Sequence, residues 1–91
     1  MQALTVYPLV YCLELEDGCW YIGSSINLNV RLAQHWSGQG SGWTKKHAPT
    51  RVHEVILVRE GSALEVENSA TLAYIAQYGA EKVRGGSYTR V

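Results

Sequence analysis

The sequence has no net charge and no long hydrophobic run. Its eight Lys and Arg residues balance its eight Asp and Glu residues. No apolar run approaches the ~20 residues of a transmembrane helix, so we expect no membrane partner. The beginning of the chain lacks a basic stretch followed by an apolar block, so we expect no signal peptide and a cytoplasmic location.

Cysteine is scarce, with only Cys12 and Cys19 present. Without a third or fourth cysteine nearby, a structural zinc site is not expected. Both residues lie on one predicted hairpin, and the register favoured below puts them on opposite faces. In a cytoplasmic protein, two buried free thiols are then expected in place of a disulfide.

The composition is that of one ordinary globular domain. A hydrophobic fraction of 46% with 18% charged residues excludes wholesale disorder, and 91 residues predict a single domain, 1–91. Zero net charge argues mildly against a nucleic-acid partner. The charges are uneven, however, because 18–53 carries four basic residues and no acid, and 82–91 carries three more basic residues. Scattered surface charge is the alternative interpretation.

Hydrophobic patterning and turn residues predict the order β-β-α-β-α with a short tail. Asn27 and Ser62 are typical N-caps, and they predict helices that run to Trp36 and Tyr78. The Gly- and Lys-bearing segment 37–50 is predicted as a loop, and the tail is too rich in glycine for a helix. The predicted strands cover 6–15, 19–23 and 52–58. The fold class is therefore α/β, with a three-stranded, mainly antiparallel sheet flanked by helices.

The first hairpin decides whether two tyrosines share a face. A two-residue loop at Asp17-Gly18 would put Tyr11 and Tyr21 on opposite faces. A three-residue loop of 16–18, closed by Gly18 in the left-handed region, puts both on one face. We favour the longer loop because it needs only one residue with positive φ. The two tyrosines would then either pack in the core or form part of a site.

Arg31 and His35 are four residues apart and therefore lie on one face of the first helix. They could simply be solvated there. Beside two tyrosines, however, they suit phosphodiester hydrolysis. A phenolate or an imidazole can accept a proton from water, and an arginine can neutralise the charge that develops on a phosphate.

The spacing of these residues resembles the GIY-YIG nuclease family. Leu9-Val10-Tyr11 is followed after nine residues by Tyr21-Ile22-Gly23, and Arg31 stands ten residues after Tyr21. Leu9 departs from the family's glycine. The segment 42–49 is similar to the one that follows the catalytic helix in small stand-alone members, and the end of the chain resembles viral and microbial members. The resemblance spans nearly the whole chain and implies a GIY-YIG-type α/β domain.

The resemblance implies a metal-dependent DNA endonuclease. The family's metal-binding glutamate fits Glu67 in Ala63-Leu64-x-x-Glu67, whereas Glu65 lies ~200° around the helix from Glu67. Glu67 would hold one Mg²⁺, or Mn²⁺, together with phosphate and waters. Tyr11 would act as general base with His35 as relay, or His35 would be the base itself. Tyr21 would orient the water or the phosphate, and Arg31 would neutralise charge.

Further residues are candidates for binding the substrate. Gly23 would let the backbone approach the phosphate, and Lys45, Lys46 and His47 would contact the nucleic-acid backbone. Arg84 would begin an anion-binding nest or belong to a flexible ending. Trp43 is expected in the core.

The expected activity is nicking or structure-selective cleavage of DNA, because no separate DNA-reading domain is recognisable in the chain. A partner protein or a homodimer would then supply specificity. The alternatives are a catalytically silent nucleic-acid-binding module, a nuclease acting on RNA, and an interaction domain in which the motif is coincidental.

Overall fold

Residues 7–89, the part of the chain that the computed structural model describes, form four strands and three α-helices. In chain order the elements are β1 (Leu9–Leu15), β2 (Trp20–Ser25), α1 (Leu28–Trp36), α2 (Gly42–Lys46), β3 (Pro49–Leu57), α3 (Ala63–Tyr78) and β4 (Val83–Gly85). None of the described helices is long and apolar enough to cross a membrane.

The sheet is mixed and has the strand order β3-β1-β2-β4. The expected antiparallel pairs of β1 with β2 and with β3 are confirmed, but the prediction of three strands is wrong, because β4 pairs in parallel with β2. A three-residue strand followed by a further glycine gives too short a pattern to be recognised. Val83 is nevertheless buried, and Gly85 lies close against the main-chain carbonyl of Ile22.

The first hairpin has the predicted register. A 3-10 turn, Glu16–Gly18, connects the strands, the amide of Leu15 donates to the carbonyl of Cys19 at 2.8 Å, and Leu13 pairs with Tyr21. One detail of the prediction was wrong, since Asp17 as well as Gly18 has a positive φ, at 63°. Aspartate is among the few residues that tolerate this conformation.

Each face of the sheet has its own apolar cluster. Tyr11, Leu13 and Tyr21 pack on the face that α1 and α2 cover. Val10, Cys12 and Ile22 pack on the other face, beneath α3. Cys12 and Cys19 fall in different clusters, and both are buried free thiols, as the register predicted.

Both long helices begin at their predicted caps. The Asn27 side chain accepts from the amide of Val30, and the Ser62 side chain accepts from the amide of Glu65. The predicted loop 37–50 is wrong in part, because it contains the short helix α2, capped by Ser41, and because β3 already begins at Pro49. The first strand was predicted to begin at residue 6, which lies outside the described residues. Tyr7 and Pro8 are not part of a strand, and β1 begins at Leu9.

We expect Gly85→Ala to destabilise the fold by about 1–3 kcal/mol, the usual range for overpacking. A Cβ at this position would lie 2.5 Å from the Ile22 carbonyl oxygen and 2.7 Å from the Thr71 hydroxyl oxygen. Urea unfolding followed by tryptophan fluorescence measures the effect. Gly42→Ala is the matched control, because a Cβ there meets no atom within 4 Å. Equal stability of the two variants would show that β4 is not held closely against β2.

Candidate active site

The site begins with two tyrosines that project from the same face of the hairpin. The ring centroids of Tyr11 and Tyr21 lie 6.4 Å apart. Tyr11 has no solvent exposure, whereas Tyr21 retains 9%. Gly23 stands opposite Tyr11 in the register, and a Cβ added to it would overlap the Tyr11 hydroxyl. The glycine of the motif is therefore required for the phenol to occupy this position.

His35 on α1 is hydrogen-bonded to Tyr11 inside the protein. Its Nε2 lies 2.8 Å from the Tyr11 hydroxyl, and its Nδ1 lies 3.0 Å from the Thr44 hydroxyl. The imidazole is fully buried, and Gly40 packs so closely against it that a Cβ there would overlap the ring. A solvated position for this histidine is thus excluded.

Arg31 lies one helical turn before His35 and is half-buried. Its charge opposes the increase that burial causes in the pKa of both tyrosines, which shows that the guanidinium is close to both phenols. Arg31 Nη1 also donates to Gln34 Oε1 at 2.7 Å. A cation oriented in this way beside two phenols is suited to binding an anion.

Glu67 comes from α3, on the opposite face of the sheet. β4 pairs only with residues 20–22 of β2, so the edge of β2 beyond Ile22 is not covered by β4. Glu67 lies at this stretch, since Ser24 lowers the pKa of its carboxyl group and its charge raises the pKa of both Tyr11 and Tyr21. The carboxylate therefore reaches the tyrosines past the end of β4.

Burial favours the neutral forms of the Tyr11 phenol and the His35 imidazole. Desolvation is the main cause that raises the pKa of Tyr11 well above its usual value, and the neighbouring Tyr21 raises it further. Desolvation, then the charge of Arg31, lowers the pKa of His35 to about 4. Desolvation also raises the pKa of Glu67, which its bond to Ser24 partly offsets. At neutral pH the resting site therefore holds a protonated phenol next to a neutral imidazole.

The structure brings six of the predicted site residues together, and leaves the others elsewhere. The group consists of Tyr11, Tyr21, Gly23, Arg31, His35 and Glu67. Lys45 and Lys46 are exposed at the end of α2. His47 is hydrogen-bonded to Asp17 at the tip of the hairpin, with 3.1 Å between Nδ1 and Oδ2.

The Arg84 side chain packs and hydrogen-bonds within the protein. Its guanidinium carbon lies 4.3 Å from the ring centroid of Trp43, and its Nη1 donates to the carbonyls of Ala80 and Val83. Trp43 is buried, as expected, and its Nε1 donates to the Trp20 carbonyl at 3.0 Å. From Arg84 to the end of the described residues, the chain forms the end of β4 and a turn.

Several polar residues of the site were missed from the sequence. Thr44, Ser24 and Gln34 contact His35, Glu67 and Arg31 respectively. Thr44 lies inside a segment predicted as a loop, next to the two lysines predicted to contact the nucleic-acid backbone. The only available signal was Ser41, three residues earlier, which is the spacing of a helix cap. Nothing in the sequence pattern distinguished Ser24 or Gln34 from surface residues.

Within residues 7–89, no three His, Cys, Asp or Glu side chains lie together as a ready-made metal site. The group offers one partly buried carboxylate, one guanidinium, two phenols and an imidazole. This set can hold an anion, contribute a single oxygen ligand to a cation and accept a proton from water.

Comparison with known proteins agrees with this geometry. Residues 7–80 match the family model of the GIY-YIG catalytic domain. A UPF0213 protein of Streptococcus pyogenes is 34% identical over 83 residues, which covers 80% of this chain and 89% of that protein.

Other relatives are matched over a shorter segment. A UPF0213 protein of Halalkalibacterium halodurans is 40% identical over 43 residues, or 47% of this chain and 46% of that protein. A UPF0213 protein of Nitratidesulfovibrio vulgaris is 42% identical over 40 residues, 44% of this chain and 36% of that protein. The chain thus spans less than half the length of these two relatives, and the name UPF0213 states no activity. No solved structure matches the chain.

We expect His35 to make the protein less stable as the pH falls. Its pKa is about 4 when folded and ~6.5 when unfolded. Between these values only the unfolded chain binds the proton, so stability falls through this window and is unaffected above it. The total is roughly 3 kcal/mol, at ~1.4 kcal/mol per pH unit.

Urea unfolding of the wild type and of His35→Asn, from about pH 7.5 to about pH 4.5, measures this contribution. The wild type should lose more stability than the variant over this range. His53→Asn is the control, because His53 is exposed on β3. If His35→Asn and the wild type lose the same amount, His35 is not buried in its neutral form.

Proposed function

Because the chain belongs to the GIY-YIG family, whose catalytic domain is of nuclease type, we propose that it is a metal-dependent endonuclease that hydrolyses phosphodiester bonds in DNA. The observation that carries this proposal is the convergence of Tyr11, Tyr21, His35 and Arg31 with Glu67, which comes from the opposite side of the sheet. Structural packing alone gives no reason for a carboxylate, a guanidinium and two phenols to meet around a glycine.

A divalent cation fits the donor set. Mg²⁺ commonly binds through one or two carboxylates together with substrate phosphate and retained waters, so the single carboxylate of Glu67 is sufficient. The raised pKa of Glu67 reflects desolvation, and a cation beside it would favour the ionised form. Glu67 would hold Mg²⁺, or Mn²⁺ in its place. When bound, the ion would stabilise negative charge on the leaving oxygen.

Arg31 and Tyr21 are assigned to the substrate. Tyr21 retains some exposure, and Arg31 is half-buried, so both can reach a phosphate at the surface of the site. The guanidinium would neutralise the charge that accumulates on the phosphate oxygens, and the phenol of Tyr21 would donate to one of them or orient the attacking water.

The proton of the attacking water is assigned to the Tyr11–His35 pair. Both nitrogens of His35 already have partners, Tyr11 and Thr44, which favours Tyr11 over His35 as the group that contacts water. As water transfers its proton to the Tyr11 oxygen, the phenol proton would pass to His35 Nε2. Tyr11 has no solvent contact in the resting state, so this step requires the substrate complex, in which catalytic contacts commonly become closer.

Lys45 and Lys46 are assigned to the nucleic-acid backbone. They are exposed at the end of the helix that carries Thr44, and the segment 18–53 contains no acidic residue. Contacts of this kind add affinity irrespective of sequence and weaken as salt is raised. They support DNA binding but provide no means of choosing a site, so specificity would come from DNA structure, a homodimer or a partner protein.

We expect Glu67→Gln to lower the rate of plasmid cleavage by at least about 100-fold, the usual cost of losing a charge-stabilising group. Glu65→Gln should cleave like the wild type, because Glu65 lies two positions away on the same helix and is exposed. The assay follows supercoiled plasmid with Mg²⁺, with Mn²⁺ and with EDTA. Chelation should abolish the wild-type reaction.

Three outcomes would contradict parts of this proposal. Equal loss in Glu65→Gln and Glu67→Gln would remove the assignment of the metal ligand. Binding without cleavage in any of several metals would favour a silent nucleic-acid-binding module. Cleavage of RNA but not of DNA by the same protein would change the substrate.

We also expect a monomer to nick. Each chain has one Glu67 and one pair of tyrosines, which suffice for one strand at a time. Open circular plasmid should therefore accumulate before linear plasmid, at protein concentrations where sedimentation shows a monomer. Linear product that appears first, without an open circular intermediate, would require two sites acting together and would contradict this expectation.

A further inference from the structure

The His35 imidazole is shielded from solvent, and both of its nitrogens have hydrogen-bond partners in the protein. Tyr11 occupies Nε2, Thr44 occupies Nδ1, Gly40 covers the ring, and the side chain has no solvent exposure. Because water does not reach the imidazole, its two protein partners decide which nitrogen carries the hydrogen.

The hydrogen bonds of Thr44 determine the direction. A hydroxyl has a single hydrogen to donate, and Thr44 Oγ1 donates it to the Ser41 carbonyl at 3.1 Å. Towards Nδ1 of His35, 3.0 Å away, the same oxygen must therefore accept. This places the imidazole hydrogen on Nδ1 and leaves Nε2 as an acceptor for the Tyr11 hydroxyl, 2.8 Å away.

The opposite tautomer is unfavourable. If Nε2 carried the hydrogen, it would donate to Tyr11, and the phenol hydrogen would need another acceptor. Within the described part of the chain, Tyr11 has no hydrogen-bond acceptor other than His35 Nε2, because the neighbouring Arg31 can only donate. A buried donor without a partner costs ~1–3 kcal/mol. In this tautomer Nδ1 would also lack a donor, because Thr44 gives its hydrogen to the Ser41 carbonyl, so the Thr44 side and the Tyr11 side together favour the Nδ1–H form.

We propose that Thr44 is a positioning residue: its hydroxyl holds His35 in the Nδ1–H form, so that Nε2 is free to take the proton of Tyr11. The assignment of the tautomer stands on the hydrogen bonds alone. Its consequence for turnover rests on the proposed nuclease function.

The short helix α2 keeps Thr44 in place. The Ser41 hydroxyl oxygen accepts from the Thr44 amide at 3.1 Å, and Ser41 donates to Thr44 Oγ1 at 3.2 Å. Next to Thr44, the buried Trp43 connects the helix to β2, because its Nε1 donates to the Trp20 carbonyl. The Ser41 cap and the Trp43 hydrogen bond thus hold the Thr44 hydroxyl next to Nδ1 of His35.

The direct test is nitrogen-15 NMR of the imidazole in the full chain at neutral pH. His35 should show a protonated Nδ1 and an unprotonated Nε2 in the wild type. A wild-type spectrum with the hydrogen on Nε2 would overturn the proposal without any variant and without an activity measurement.

Variants at position 44 then separate the hydroxyl from the shape of the side chain. Thr44→Ser keeps the hydroxyl and should keep the wild-type spectrum. Thr44→Val keeps the shape, removes the acceptor and should give a mixed or reversed tautomer. Thr89→Val, at an exposed position, is the control for the substitution itself.

Activity provides a second measurement. Thr44→Val should lower kcat by about 10- to 100-fold with KM little changed, the usual loss when the group that orients a functional histidine is removed. Thr44→Ser should restore most of it. Retention of the Nδ1–H form in folded Thr44→Val would refute the proposal. If the wild type cleaves neither DNA nor RNA while the spectrum is as expected, only the proposed function fails.

Discussion

The register between β1 and β2 is the constraint on which the rest of the site depends. Because side chains alternate along a strand, a shift by one residue would send one tyrosine to the opposite face of the sheet. The three-residue turn pairs Leu13 with Tyr21 and Tyr11 with Gly23. This pairing places both phenols under α1 and α2, and puts the one residue without a side chain where the Tyr11 hydroxyl needs room.

The early end of β4 is the second constraint. The strand stops at Gly85, opposite Ile22, and the chain then turns away at Gly86, whose φ is 50°. Asn68 stabilises this turn, since its Oδ1 accepts from the Ser87 amide at 2.8 Å. A longer β4 would cover the edge of β2 beyond Ile22. The short strand leaves that edge available, and Glu67 meets the tyrosines there although α3 packs on the other face.

The buried polar groups of this apolar layer are stabilised because they hydrogen-bond to one another. Burying a phenol or an imidazole costs free energy unless each donor finds an acceptor. Tyr11, His35 and Thr44 form a chain of hydrogen bonds that ends at the Ser41 carbonyl. The same burial raises the pKa of Tyr11 and lowers that of His35, which keeps the proton on the phenol.

The sequence by itself determined what depends on neighbouring residues: the hairpin turn and its register, the caps at Asn27 and Ser62, and the proximity of Arg31 and His35 on one helix. Local sterics and hydrogen bonds specify these features without the rest of the chain. Tertiary structure alone decided the fourth strand, the contact between Arg84 and Trp43, and the hydrogen bond between His35 and Thr44. These features arise because segments distant in sequence bury their surfaces against one another, and a stretch as short as β4 or α2 has no periodicity from which that burial could be predicted.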